Sequence, residues 1–351
     1  MDKYFLLFFL TLAGMGYGQK ETMPNIIFLI GDGMGLTQIS TGMYANGNST
    51  ELENFEYVGL SKTHAANNLV TDSAASGTAM ASGVKTYNGV IGISSKNQKK
   101  SSILDYCSAK GYQTGLLSTS SIVHATPASF YAHVESRKEY QKIAIQLMES
   151  NVNYFIGGGK KHFTKRDDRK NLIMSSDNRY EIVNSLEEFI ESDAEKIGYL
   201  TYDDEPPKKS IGRKPALPDM LQATLDKFSK SNQPFFIMTE GSQIDWGGHA
   251  NEVAYVVSEF LEFNEALRIA LRFAEKNGNT LVVVTADHET GGLALTKGNV
   301  EKSQVGGRFN TKGHSATMVP VFSYGPTAKN FTGIYDNTAL YTKLKKAVDT
   351  E

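Results

Sequence analysis

Short, continuous apolar runs recur along this chain, and several of them stop at glycine beside an acid or a histidine. Asn25–Ile30 (NIIFLI) leads into Gly31-Asp32-Gly33, Phe235–Thr239 (FFIMT) into Glu240-Gly241, and Thr280–Thr285 (TLVVVT) into Ala286-Asp287-His288. Thr114–Leu117 and Val319–Tyr324 are further runs of this kind. Runs this short, without alternation, read as strands buried on both faces, as in a parallel sheet. Helical patterns lie between them. The clearest is Glu252–Asn277, where Val253, Val256, Val257, Phe260, Leu267, Leu271 and Phe273 follow a helical period and Gly278 supplies a stop. Strands alternating with helices predict an α/β fold: a doubly wound, mostly parallel central sheet flanked by helices. Ligands of such sheets sit at the carboxyl ends of the strands. The chemistry is therefore expected just past each apolar run.

The chain has 351 residues, 40% hydrophobic and 21% charged, which suits one large α/β domain or two small ones. A formal net charge of -2, with no long charge block, gives no reason to expect a nucleic-acid partner. At the N-terminus Lys3 precedes the apolar run Tyr4–Leu10, which continues to Ala13 and gives way to Gly16-Tyr17-Gly18. That order predicts a signal peptide over residues 1–18 and export to the periplasm or beyond. No later run is long and apolar enough to span a bilayer. Residues 19–351 read as a single domain with an insertion or lid at about 138–216. There Gly157–Gly159, the mixed-charge run Lys160–Lys170 and Pro206, Pro207, Pro215 and Pro218 interrupt the pattern. The single cysteine, Cys107, permits no internal disulfide and reads as a small buried hydrophobe.

Asp32, Glu240, Asp245, His249, Asp287 and His288 follow strand ends, and His314 precedes the Val319 strand. These are donors that suit zinc or, in all-oxygen sets, magnesium. In Val70-Thr71-Asp72-Ser73-Ala74 a small-residue helix begins. Asp72 or Ser73 reads locally as its N-cap. A serine there also has its hydroxyl in a positive field that favours an alkoxide and an incoming phosphate. In Ser121–Arg137, Pro127 suits the first turn of a helix with Thr126 as cap. Arg137, near that helix's far end, reads either as a solvated charge or as a bidentate grip on a phosphoryl group.

Taken in order, GDGMG, VTDSAASGTAMASGVKTYNGVIG, HATPASFYAHVESR, EGSQIDWGGHANE, TADHETGG and GHS…VPVFSYGP resemble the metal-dependent alkaline phosphatases along the mature chain. The resemblance implies hydrolysis of phosphate monoesters through a phosphoserine on Ser73, with two zinc ions and one magnesium, in a homodimer. It implies that Arg137 binds two phosphoryl oxygens and that Asp72 orients it. Asp245, His249 and His314 match the ligands of one zinc, and Asp287, His288 and Asp32 those of the other. Thr126 and Glu240, with Asp32 facing them, match the magnesium ligands. His124 and Trp246 stand where some bacterial members carry aspartate and lysine, as in the compact bacterial kind. An imidazole by the third site weakens the case for magnesium there, since nitrogen ligands favour zinc or cobalt. A tryptophan in place of lysine implies weaker product binding and faster release. Sulfatases of the same superfamily need a modifiable Cys or Ser followed by arginine, which Cys107 lacks, and diesterases generally use threonine as nucleophile.

Overall fold

A computed structural model describes residues 23–175 and 179–349; the segment expected to be a signal peptide, 1–18, lies outside them. In chain order the strands are β1 (Asn25–Gly31), β2 (Tyr57–Lys62), β3 (Gln113–Ser121), β4 (Tyr154–Gly158), β5 (Glu181–Val183), β6 (Ile197–Leu200), β7 (Phe235–Gly241), β8 (Thr280–Thr285), β9 (Glu289–Thr290), β10 (Ala294–Asn299), β11 (Gln304–Arg308), β12 (His314–Ser315), β13 (Val319–Tyr324) and β14 (Gly333–Asp336). Ten of them form one sheet in the order β14-β2-β13-β8-β1-β7-β3-β4-β6-β5, and β10–β11 and β9–β12 make two small ribbons. Only β13 runs antiparallel to its sheet neighbours, so the sheet is mostly parallel.

The unbroken apolar runs have a direct physical reading. Successive side chains of a strand point to opposite faces. Ile26, Phe28 and Ile30 of β1 pack into one buried cluster, with Phe236, Met238, Leu281 and Val283. Ile27 and Leu29 pack into another on the far face, with Ile237, Val282 and Val284. Helices cover both faces, as a doubly wound sheet requires. The helix Val253–Asn277 lies on the second face and ends at Gly278 with φ 73°, a left-handed C-cap. Cys107 is buried in the first cluster.

Residues 138–216, expected as an insertion or lid, contribute β4, β6 and β5 to one edge of the central sheet. A second expectation needs correction. The helix starting near Pro127 is a single turn, Ala125–Ala128, whose N-cap position is His124 rather than Thr126. The chain then bends so that Val134 pairs with Ile91, and Arg137 sits in the following turn, not at a helix end. The Arg137 backbone N–H donates to Gly89 O at 2.7 Å, which fixes that turn.

Parallel register brings the strand ends level. Ile30 of β1 lies opposite Glu240 of β7 and Thr285 of β8, and Ser118 of β3 lies opposite Glu240. Asp32, Asp287, Glu240 and the hydroxyl-rich end of β3 therefore gather at one carboxyl edge. A cleft at the amino-terminal edge, lined by Met23, Asn25, Phe235 and Asn279 among others, carries no acid or histidine among its lining residues.

Candidate metal centre and nucleophile

Asp245 and His249 stand four residues apart on the helix Gln243–Ala250, a spacing that puts both on one face. His314 reaches them from β12. His249 Nε2 lies 3.2 Å from Asp245 Oδ2 and 3.2 Å from His314 Nε2, and His314 Nε2 lies 3.6 Å from Asp245 Oδ1. Second, Asp32, Asp287 and His288 converge from the ends of β1 and β8, all fully buried. His288 Nε2 lies 3.0 Å from Asp287 Oδ2 and 3.5 Å from Asp32 Oδ1. The His288 and His314 rings stack at 3.5 Å and join the two clusters.

The other nitrogen of each imidazole decides what these clusters want. His249 Nδ1 donates to Lys312 O at 2.5 Å and His314 Nδ1 to Thr71 O at 2.8 Å. Thr290 Oγ1 donates to Asp245 Oδ1 at 2.5 Å, so its lone pair is free to accept from His288 Nδ1 at 3.2 Å. With the proton held on Nδ1, all three Nε2 atoms present bare lone pairs to carboxylates and, in one pair, to each other. Only a positive species between them satisfies that arrangement. Both Asp32 oxygens and Asp287 Oδ2 are buried without a hydrogen-bond donor. These are the vacant donor positions a metal ligand needs, and the nitrogen-plus-carboxylate sets suit zinc.

Without an ion, protons on the imidazoles take up part of that positive role. Burial, then the charges of Asp287, Asp245 and Glu240, holds the Asp32 carboxyl well above the usual range. The hydrogen bond to Asp245 raises His249 to about 9, so a proton stands where a cation would. Burial, then the positive charge of His288, pushes His314 down to about 4. Burial alone would raise Asp287; the charge and hydrogen bond of His288 outweigh it and hold the carboxyl below its usual range.

Ser73 opens the helix Ser73–Ser82, and its Oγ lies 3.3 Å from His288 Nε2, beside the second cluster. Its side chain is almost wholly buried. The cap and functional readings of Asp72 hold together. Asp72 Oδ1 caps the helix by accepting from Ala75 N at 2.9 Å. Its Oδ2 accepts from Gly89 N at 3.0 Å and from Arg137 Nη1 at 3.0 Å. Arg137 Nη2 donates to His124 Nε2 at 3.2 Å. Burial, then the Arg137 charge, lowers His124 to about 3 and keeps it neutral. Trp246 sets its ring edge-on to His124 with centroids 6.3 Å apart. Thr126 Oγ1 faces Glu240 without forming a hydrogen bond of ordinary geometry, and both it and Glu240 Oε1 are buried and unpartnered. The candidate metal ligands, Ser73, Asp72, Arg137, His124 and Trp246 thus lie at this edge.

Some contributors were not singled out. Thr290 links the two clusters, Asn88 accepts from Asp72 N at 3.1 Å, and Ser118 and Ser242 hold Glu240. Thr290 stood two positions past His288. The strand-end rule, applied to the hydroxyl-rich close of β3, would have reached Ser118.

The family model described as alkaline phosphatase matches residues 23–305. Alkaline phosphatase 3 of Bacillus subtilis is 32% identical over 94% of this chain and 90% of its own length. The Escherichia coli alkaline phosphatase is 31% identical over 92% and 86%. The solved alkaline phosphatase of the Antarctic bacterium TAB5 aligns with a TM-score of 0.88 and 41% identity, covering 94% of this chain and 99% of that one. A mutant of that protein with a histidine changed to glutamate has Mg bound in the M3 site.

Proposed function

The chain belongs to the alkaline phosphatase family and hydrolyses phosphate monoesters, and from that premise we propose how its own residues do so. Ser73 is the nucleophile. Asp245, His249 and His314 hold one zinc ion, and Asp32, Asp287 and His288 hold a second. Thr126 and Glu240, with Asp32 alongside, hold a third ion; their oxygen donors suit magnesium, while the His124 imidazole two residues from Thr126 favours zinc or cobalt there. The observation that carries the proposal is the set of three imidazoles pinned through Nδ1, with Nε2 bare towards carboxylates and Ser73 Oγ. When bound, the metal ions supply positive charge that favours an ionised serine and offsets charge developing on the leaving group.

Ser73 gives up its hydroxyl proton to solvent, its Oγ attacks phosphorus, the bond from phosphorus to the ester oxygen breaks, and the alcohol leaves with a proton taken back from solvent. Phosphate is then carried on Ser73. Water attacks the same phosphorus, the Oγ–P bond breaks, and serine and inorganic phosphate are restored. The helix N-terminus at Ser73 favours the anionic phosphoryl group through its free N–H groups and dipole. Arg137, aimed by Asp72 and His124, holds the phosphoryl oxygens and keeps the group in line. Asp72 spends one oxygen on the helix and one on the arginine, so it fixes nucleophile and grip relative to each other. Trp246 offers no cation to the product, which favours its release.

Residues 1–18 are read as an export signal leading to the periplasm or outside. Residues 19–351 are read as one domain with an insertion at about 138–216, and the working form as a homodimer. No helix among the described residues is long and apolar enough to cross a membrane.

Incubation with inorganic phosphate, acid quenching and peptide mass spectrometry tests the nucleophile. Phosphate is expected on the peptide containing Ser73, and Ser73→Ala is expected to lose both the label and turnover while keeping its metals. Full turnover in Ser73→Ala would mean that another group attacks.

A further inference from the structure

Beneath Glu240 lies a group of hydroxyls that takes no part in the chemistry above. After Leu116-Leu117, β3 closes in Ser118-Thr119-Ser120-Ser121, and Ser242 follows β7 directly. Ser118, Ser120 and Ser242 are fully buried. Buried hydroxyls need partners, and theirs converge on one atom. Ser118 Oγ donates to Glu240 Oε2 at 2.6 Å and Ser242 Oγ donates to the same oxygen at 2.7 Å. Ser120 Oγ lies 2.8 Å from Ser118 Oγ, close enough to donate to it, and the Ser120 backbone N–H also donates to Ser118 Oγ at 3.1 Å. The Ser242 backbone N–H donates to Thr119 Oγ1 at 2.8 Å, which anchors the start of the next helix to β3.

Counting protons shows what this does to the carboxylate. Each hydroxyl has one proton, and Ser118 and Ser242 give theirs to Oε2. Their own 2.9 Å approach therefore carries no hydrogen bond. Oε2 takes two strong donors and Oε1 takes none, although Oε1 is equally buried. A buried carboxylate left to itself would share donors between both oxygens. Here one oxygen is saturated, while the other is buried and bare, as is the Oγ1 of neighbouring Thr126.

We infer that Ser118 and Ser242 are positioning residues for the third metal site: they lock the Glu240 carboxylate so that Oε1 alone faces the ion, and they set its affinity without touching it. The inference rests on the reading of Glu240 and Thr126 as ligands of that ion. Outer partners of this kind commonly change metal affinity about tenfold to a hundredfold.

The test uses the full chain, stripped with chelator, reloaded with zinc and titrated with Mg2+ in a calorimeter. Ser118→Ala and Ser242→Ala are each expected to weaken Mg2+ binding about tenfold or more, and the double variant further. Zinc content and the unfolding temperature of the metal-free chain are expected to stay near the parent's, which a merely structural role would not allow. Should Ser118→Ala fail to fold, Ser242→Ala interrogates the same oxygen from the other strand. Glu240→Gln separates the two layers of the argument. Mg2+ affinity lost in Glu240→Gln but unchanged in both serine variants would overturn the inference alone. Unchanged affinity in Glu240→Gln would overturn the ligand reading beneath it.

Discussion

Arg137 makes one charge-assisted bond to Asp72, 65 residues away, and one bond to His124, 13 residues before it, and its chain position alone gives no sign of either. Replacing it with alanine removes the proposed phosphoryl grip and leaves Asp72 with its cap and its bond to Gly89 intact. Arg137→Ala is expected to weaken competitive inhibition by phosphate and to cost a few kcal/mol in kcat/KM, roughly 2–3 kcal/mol by the usual worth of hydrogen bonds to charged groups. Inhibition constants and kinetics on p-nitrophenyl phosphate measure both. On the proposed reading, Trp246 bears on product affinity with the opposite sign. Trp246→Lys is expected to tighten phosphate binding and slow product release; unchanged phosphate affinity would refute the role given to the tryptophan. At this scale the sequence was informative where a residue type has few uses, as with an acid and a histidine side by side at a strand end. It was poor for hydroxyls. Thr290 and Ser118 matter through a single proton donated over a long sequence distance and Ser242 through one donated two residues back, and serine and threonine have too many local uses to stand out.

Among the elements, the strands were legible because continuous apolar runs have one economical explanation, burial on both faces. The long helix was legible from its period and from Gly278. The turn after Ala128 was not. Pro127 and Thr126 match a helix start, but tertiary pairing of Val134 with Ile91 bends the chain early and carries Arg137 to Asp72. Nor does local sequence say that β4, β5 and β6 extend the sheet, since three of their residues on β5 offer little pattern. One packing contact between elements can be tested sharply. A Cβ placed on Gly42, in the helix Leu36–Ala45, would meet Phe260 of the long helix at 1.8 Å. Gly42→Ala is expected to destabilise the fold by roughly 1–3 kcal/mol or more through overpacking, despite alanine's better helix propensity. Chemical denaturation measures it, and a stabilised variant would show that the two helices are not packed this way.

For the molecule as a whole, stability depends on charge and on metals together. Glu205, partly covered and accepting from Ser121 N at 2.6 Å, is raised by burial to about 7. Its folded value lies above the ordinary carboxyl value. The folded chain therefore binds more protons than the unfolded one between about pH 4.5 and 7, and this group's contribution falls as pH rises through that window. Glu205→Gln, neutral throughout, is expected to gain stability relative to the parent from pH 5 to pH 8. The gain is on the order of 2 kcal/mol once residual solvent contact is allowed for. Paired thermal melts at the two pH values measure it; a constant difference would contradict it. Metals act on a larger scale, because ions bound only by the folded chain stabilise it by mass action. Chelation is expected to lower the unfolding temperature as well as abolish turnover. Metal analysis of the purified chain, run beside a phosphate monoester assay, bears on the whole account at once. Two zinc ions per chain are expected, with activity lost on chelation and restored by zinc with magnesium. Full turnover by a chain stripped of metal would contradict it.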